Sequence, residues 1–114
     1  IDLFGTGLET RDFINVNDVV RAGLHISNYK SINNFNVYNV ASGHETTISD
    51  AVKYLFSHLK SSPVIKFMGQ KMEGAPVNWR ANITKLKDTG FKNKFSIKSE
   101  LPNYFKWFQN LNVK

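Results

Sequence analysis

The sequence of 114 residues contains no cysteine and only three prolines. Without cysteine it can form neither a disulfide nor a thiolate metal site, which fits a reducing compartment. No apolar run reaches the roughly 18 residues that a membrane-spanning helix needs, and no secretory signal is recognisable. These absences argue against a disulfide-stabilised scaffold and a membrane-embedded protein, and we expect a cytoplasmic location.

Acidic residues are scarce relative to basic ones, with nine against fifteen and a net charge of +6. Such a surplus can attract an anionic metabolite or a polyanion. The lysines of the second half are spread out, however, which favours a solvated basic surface. The three histidines, His25, His44 and His58, have no carboxylate or second histidine at ligand spacing. We therefore predict no metal site and place all three on the solvated surface.

The length allows at most one domain, and 41% hydrophobic with 13% aromatic residues is typical of a globular chain. The sequence begins at Ile1, within what reads as a loop and without methionine. We therefore expect residues 1–114 to be a single region of a longer protein.

The first half reads as strand, helix and strand. Residues 13–16 are predicted to form a strand, and Asn17 or Asp18 can cap the next helix by accepting a bond from a free backbone N–H. Residues 35–40 are rich in β-forming types and predict a second strand that is closed by Ser42-Gly43. The core-facing side of the helix is predicted to consist of Val19, Val20, Gly23, Leu24 and Ser27.

The middle of the sequence predicts a helix, a strand and a loop. Thr47 opens the helix in a capping box whose acidic member is Asp50. Residues 64–68 predict a strand, residues 69–77 an irregular loop, and Asn82 the cap of a short helix. The apolar stripe of the first of these helices consists of Ile48, Val52, Leu55, Phe56 and Leu59.

The last part predicts two helix boundaries. Gly90 is expected to end the short helix in a left-handed conformation, with Phe91 folded back on Leu86. For the final helix we prefer Ser99 as the cap, because Pro102 then falls in the first turn and costs no hydrogen bond. The overall order of strands and helices predicts a mixed α/β (α+β) module of short strands alternating with helices.

Arg11 is the most informative candidate for binding. It follows a glycine-bearing turn, Gly5-Thr6-Gly7, and precedes a short apolar segment. A guanidinium held there can meet an anion, and phosphate or carboxylate is the natural ligand of its planar fork. The alternative is that Arg11 and Asp12 form a surface ion pair of little energetic value.

Four segments carry a resemblance to a known family. Residues 11–19, 37–43, 78–87 and 90–97 are similar, in order and spacing, to R-D-F/Y-I-x-V-x-D-V, Y-N-V-G-S-G, W-R-A-D-I-S-K-A-K and L-G-W-x-P-K-x-S-L. These motifs occur in the extended short-chain dehydrogenase/reductases, the nucleotide-sugar epimerases and dehydratases. The resemblance implies the C-terminal, substrate-binding part of a Rossmann-type enzyme, with the last strand of its sheet but without the glycine-rich half.

The resembled enzymes hold NAD in a Rossmann domain and use the tyrosine and lysine of Y-x-x-x-K as acid and base. Neither feature is present, because Gly5-Thr6-Gly7 lacks a third glycine. The two tyrosines with the closest context, Tyr54 and Tyr104, have His58 and Phe108 at the lysine position. The resemblance thus implies NAD in the complete enzyme. We expect no catalytic residue and no bound cofactor in this region, and no activity of the chain alone.

The resemblance also implies a substrate site for a nucleotide-diphosphate sugar. Arg11 matches the arginine that contacts the substrate diphosphate. The family often carries R-x-G-D ahead of W-R-A-D, but residues 72–75 lack both the arginine and the aspartate. Lys71 or Arg80 are candidates to replace that charge, although lysine lacks the fork. Trp79 falls where the family places an aromatic near the nucleotide, with a core or lid role as the alternative.

Two other functions remain open. A stand-alone module for single-stranded nucleic acid would stack bases on Phe13, Tyr38, Trp79 and Trp107. A degenerate, non-catalytic relative would serve as an interaction surface. If the family interpretation is right, the apolar helix face around Val20 and the strand that contains Tyr38 are exposed. The missing Rossmann domain or a homodimer partner would then cover them.

Overall fold

The computed structural model describes residues 1–31, 35–70 and 73–111. Two short ladders form, one parallel between β1 and β4 and one antiparallel between β2 and β3. The mixed α/β class predicted from the sequence is therefore confirmed. In chain order the elements are β1 (Asp2–Leu3), β2 (Thr10–Arg11), α1 (Val16–Asn28), β3 (Thr46–Thr47), α2 (Ile48–Phe56), β4 (Lys66–Phe67), α3 (Thr84–Lys87) and α4 (Ile97–Leu111).

The parallel ladder confirms the centre of the strand predicted over 64–68. Leu3 pairs with Phe67. Gly7 has a φ of 81°, and a Cβ on it would lie 2.7 Å from the Phe67 ring. Only glycine allows the ring to pack so closely against this turn. The ladder thereby fixes the glycine turn that precedes β2.

The antiparallel ladder positions Arg11, which pairs with Thr46. On the other side of β2, the amide of Thr10 donates to the carbonyl of Val77 at 2.9 Å. β2 is therefore held between β3 and the end of the irregular loop that was predicted over 69–77.

The strand predicted over 13–16 is wrong, because α1 begins at Val16. The cap is neither Asn17 nor Asp18 but Asn15, whose side-chain oxygen accepts from the amide of Asn17 at 2.8 Å. A short polar side chain that satisfies a free amide starts a helix wherever it falls, and here it falls within the apolar segment.

The predicted inner face of α1 is also wrong. Ala22 is completely buried and packs with Leu86 and Phe91, and Ile26 packs against this cluster. The residues predicted to face the core are exposed, with Leu24 63% accessible. The predicted exposure of this apolar face is therefore observed.

Residues 35–40 have the side-chain pattern of a strand but no ladder partner within the described residues, so the predicted strand is not formed. Alternate side chains are exposed and half-buried along the segment, as they would be in a sheet. Tyr38 and Val40 point inward and pack against the Leu86 cluster. Backbone pairing is thus the missing part of this strand.

Thr47 caps α2, as predicted. The Thr47 hydroxyl oxygen accepts from the amide of Asp50 at 3.0 Å. The apolar stripe of α2 is half-buried and packs against α4, with the rings of Phe56 and Phe105 5.4 Å apart.

We predicted Ser99 as the cap of α4, but the helix begins at Ile97. The Ser96 hydroxyl oxygen accepts from the amide of Ser99 at 3.2 Å and acts as the cap. Pro102 therefore lies inside the helix, where its missing N–H leaves the carbonyl of Lys98 without a helical bond. An interior proline costs about 3 kcal/mol, and packing of α4 against α2 offsets this cost.

The end of α3 agrees with the prediction. Gly90 has a φ of 88°, and Phe91 lies in the same buried cluster as Leu86. At the other end, the N-cap is Ile83 and not the predicted Asn82, although the Asn82 side chain accepts from the amide of Thr84 at 3.0 Å. Among the described residues, no helix has the length and hydropathy that a membrane crossing requires.

Candidate functional site

Arg11 lies in a cavity that it shares with the irregular loop. Its Nη1 donates to the carbonyl oxygen of Thr10 at 2.7 Å and to that of Pro76 at 2.9 Å. These two bonds hold the guanidinium between β2 and the loop. The cavity has a volume of about 110 Å³ and is lined by Phe4, Gly5, Glu9, Arg11, Ile48, Ala75, Pro76 and Val77.

The alternative of an Arg11–Asp12 ion pair is wrong. The two salt bridges of the described residues join Arg21 to Asp18 and Lys53 to Asp50. Asp12 instead accepts from the amide and hydroxyl of Ser42 at 2.8 and 2.6 Å, and from the amides of Gly43 and Ala81 at 3.0 and 3.2 Å. Backbone anchoring occupies its carboxylate, so the charge of Arg11 stays available to a ligand.

Glu9 is a residue of this cavity that the sequence analysis missed. Its carboxylate accepts from the amides of Thr6 and Gly7, both at 2.9 Å, and from the Thr6 hydroxyl at 3.0 Å. The bond from the Thr6 amide is the largest cause of a pKa of Glu9 that is lowered to about 2. Glu9 therefore stays negatively charged beside Arg11. The glycine turn was the signal for it, since a Cβ on Gly5 would lie 2.9 Å from the Glu9 carboxylate.

The size of the Arg11 cavity limits what it can hold. Small-molecule sites usually have volumes of about 300–1,000 Å³. A cavity of about 110 Å³ can take one polar group of a ligand, such as a phosphate. A complete sugar nucleotide would have to extend beyond it.

Trp79 and Arg80, two of the other predicted binding residues, lie outside the cavity lining. Thr10 and Asp12 tie the segment 77–81 to β2 at both of its ends. Trp79 is 61% exposed, so a core role for this side chain is wrong. Arg80 is also exposed, and neither residue lines the cavity of Arg11. Lys71 lies outside the described residues.

Two of the three histidines are not on the solvated surface, contrary to prediction. His25 Nε2 lies 3.0 Å from the hydroxyl of Thr89, and its ring packs on Phe91. His58 packs against Phe105 at 5.2 Å, with both ring nitrogens buried and without a hydrogen-bond partner in the described structure. His44 is exposed, as predicted. The described part of the chain contains no group of three residues suited to a metal ion.

Asp18 is a backbone anchor, and its side chain is completely buried. It accepts from the amides of Lys94 and Phe95, both at 3.0 Å, and from Arg21. Burial alone would raise the pKa of Asp18, but the bonds from the two amides and Arg21 outweigh it, and the pKa lies below its usual value. Its carboxylate is therefore ionised, and these bonds use it to support the fold.

Two further concave surfaces lie away from Arg11. One is a groove of about 630 Å³ between residues 13–17 and α4, with exposed Tyr104 and Trp107 on its wall. The other is a cavity of about 380 Å³ between the turn 42–44 and residues 83–93.

The fold places the chain in a structural class. The chain has the architecture of the C-terminal part of an extended short-chain dehydrogenase/reductase. Its structure superimposes on RMD from Pseudomonas aeruginosa, which was solved in complex with NADPH. The TM-score is 0.82 with 25% identity, over 97% of this chain and 36% of the other.

Two further relatives are named as enzymes that act on UDP-sugars. The structure matches UDP-N-acetylglucosamine 4-epimerase from Methanobrevibacter ruminantium, in complex with UDP-N-acetylmuramic acid, at a TM-score of 0.79 and 26% identity, over 96% of this chain and 34% of that one. The sequence is 30% identical over 115 residues to a Methanocaldococcus jannaschii protein named "Putative UDP-glucose 4-epimerase", covering 96% of this chain and 34% of the relative. The predicted resemblance is confirmed.

The chain spans about a third of the length of these relatives. No family model matches it. The matches lie in the C-terminal part of an extended enzyme of this type.

Proposed function

We propose that this chain is the substrate-binding C-terminal part of a nucleotide-sugar epimerase or dehydratase, and that Arg11 binds the diphosphate of the substrate. The relatives that act on or bind UDP-sugars support this function. The single observation that carries it is the Arg11 guanidinium, which faces a cavity shared with residues 75–77 and pairs with no carboxylate among the described residues.

The geometry suits one phosphate group. Nη1 is engaged by two carbonyls, and the guanidinium forms no other hydrogen bond within the described residues. The carbonyls orient the fork, so its remaining N–H groups can make charge-assisted bonds to phosphate oxygens. The function of Arg11 is thus to fix the diphosphate, and the rest of the ligand lies beyond the cavity.

The charge of the site differs from that implied by the family motif. Ala75, in the position of the motif aspartate, lines the cavity together with Glu9. One arginine and one carboxylate leave the cavity close to neutral. We therefore propose that the chain alone binds a nucleoside diphosphate weakly and gains affinity from the rest of the complete enzyme.

The described residues do not fit a nicotinamide cofactor. The Gly5-Thr6-Gly7 turn leads into β2 and not into the helix that would receive a pyrophosphate. No catalytic residue is proposed here, and the chain alone is expected to be inactive. NAD or NADP would be bound by the cofactor domain of the complete enzyme.

The test is a calorimetric titration of the chain with UDP, with uridine as the control for the diphosphate. Arg11→Met is expected to weaken UDP binding about tenfold, because one charge-assisted bond is worth about 1.5–3 kcal/mol. Arg11→Lys is expected to recover little, because lysine lacks the fork. Arg80→Met, with the same loss of charge outside the cavity, is expected to change affinity less than about twofold. Equal losses for Arg11→Met and Arg80→Met would contradict the proposal.

The nucleic-acid alternative receives no support from the three proteins compared. A salt titration of an oligonucleotide provides the decisive check, because a stacking module would lose affinity steeply with salt. The alternative of a non-catalytic relative stays a prediction. An activity assay of the complete protein tests it.

A further inference from the structure

The cavity between the turn 42–44 and residues 83–93 plays no part in the proposed function. It has a volume of about 380 Å³. Its floor is apolar, since Ile83 and Phe91 line it and each is only 6% exposed. The polar lining consists of Ser42, His44, Lys87, Lys92 and Asn93.

The ionisable side chains that line this cavity are all basic. They are His44, Lys87 and Lys92, and no carboxylate is among the lining residues. The ammonium group of neither lysine forms a hydrogen bond, an ion pair or a cation–π contact within the described residues. The Lys87 Nζ lies over the turn, 4.0 Å from where a Cβ on Gly43 would stand. The cavity of Arg11, in contrast, contains the carboxylate of Glu9.

The walls of the cavity are fixed before any ligand binds. The carboxylate of Asp12 holds the amides of Ser42 and Gly43. Asn93 Nδ2 donates to the carbonyls of Ala41 and Ser42 at 3.1 and 3.2 Å. These bonds tie the turn to the residues that follow α3. A preformed cavity loses little freedom on binding, which favours affinity for a small ligand.

We propose that this cavity binds a phosphomonoester, a small organic phosphate dianion. Two ammonium groups with no carboxylate beside them match the two negative charges of such a group, and lysine is an established phosphate ligand. The buried Ile83 and Phe91 provide an apolar surface for the organic part. The volume falls within the range of small-molecule sites, about 300–1,000 Å³. The site is separate from that of Arg11.

The test is a calorimetric titration of the full chain with phenyl phosphate, inorganic phosphate and benzyl alcohol. Phenyl phosphate is expected to bind saturably and at least about threefold more tightly than inorganic phosphate, since only it reaches the apolar floor. Benzyl alcohol is expected not to bind. Lys87→Met and Lys92→Met are each expected to weaken phenyl phosphate about tenfold.

One variant serves as the control, after circular dichroism has shown that all variants stay folded. Lys98→Met removes the same charge from the exposed side of α4. It is expected to change phenyl phosphate affinity less than about twofold. No saturable binding below about 10 mM, or an equal loss in Lys98→Met, would overturn the proposal. Equal affinity for inorganic phosphate would mean that the cavity binds free phosphate, and it would overturn the proposal that the organic group of the ligand contributes to binding.

Discussion

At the scale of single residues, Arg11 and Asp12 show why adjacent opposite charges need not pair. Successive side chains of an extended segment point to opposite sides. The Arg11 side chain therefore donates to the carbonyl of Pro76 at its cavity, whereas the Asp12 carboxylate accepts from the amides of Ser42 and Gly43 on the other side. The same alternation separates a residue that can meet a ligand from one that holds the fold.

Asp12→Ala is expected to lower the free energy of unfolding by about 3 kcal/mol, because several donors, among them the amide of Gly43, lose a charged acceptor at once. Urea unfolding followed by circular dichroism measures this. Asp88→Ala, an exposed aspartate with no side-chain bond in the described structure, is the matched control and is expected to cost less than about 0.5 kcal/mol. Similar costs for both would refute the anchoring role.

Asp18 predicts the response of stability to acid. Its pKa in the folded state lies below the unfolded value of about 3.9. The stability it contributes is therefore complete above that unfolded value and is lost as the pH falls towards the folded value. We expect the urea midpoint to fall between about pH 5 and pH 3. Asp18→Asn should be less stable at pH 7 and show a smaller fall, and a fall of the same size would contradict this assignment.

At the scale of elements, local signals predicted the start of α2 and the end of α3 but not the starts of α1 and α4. Thr47 and Gly90 act where the sequence placed them, because capping and a left-handed glycine depend on a few adjacent residues. The inner face of α1 was misassigned because its most apolar side is the exposed one. The helix has two apolar faces, and the sequence alone does not show which of them packs against the core of this chain.

The two leucines Leu24 and Leu86 separate these faces experimentally. Leu86 is completely buried, so Leu86→Ala is expected to cost about 2–5 kcal/mol. Leu24 is 63% exposed, and Leu24→Ala is expected to cost less than about 0.5 kcal/mol in this chain. Chemical denaturation of both variants measures the difference. A large cost at Leu24 would mean that the outer face of α1 is covered in solution.

At the scale of the whole molecule, the chain is more extended than a domain of its length. Its radius of gyration is 17.2 Å, and its extents are 53 × 37 × 21 Å. A compact domain of this length would have a radius of about 13 Å. Within the described residues, the buried apolar core consists of five residues, Ala22, Ala41, Ile83, Leu86 and Phe91. This shape supports the proposal that a cofactor domain covers part of the surface, and a homodimer stays a prediction.

The segment 35–40, which was predicted as a strand but forms no ladder within the described residues, marks the limit of prediction at this scale. The alternation of exposed and half-buried side chains was predictable, because successive side chains of a segment rich in β-forming residues point to opposite sides. The pairing of the segment was not, because a ladder also requires a second strand. The same limit applies to the site. Arg11 was found from a motif, but Glu9 enters the cavity only through the folded turn at Thr6 and Gly7.

The most direct test of the central claim is a titration of the isotopically labelled chain with UDP, observed by NMR. Binding by Arg11 predicts saturable shifts of its side-chain Nε–H signal and of the backbone amides of Ala75 and Val77, which line the same cavity. Shifts that cluster at Lys87 and Lys92, or at Trp107, with the Arg11 signal unchanged, would contradict the claim that Arg11 binds the diphosphate.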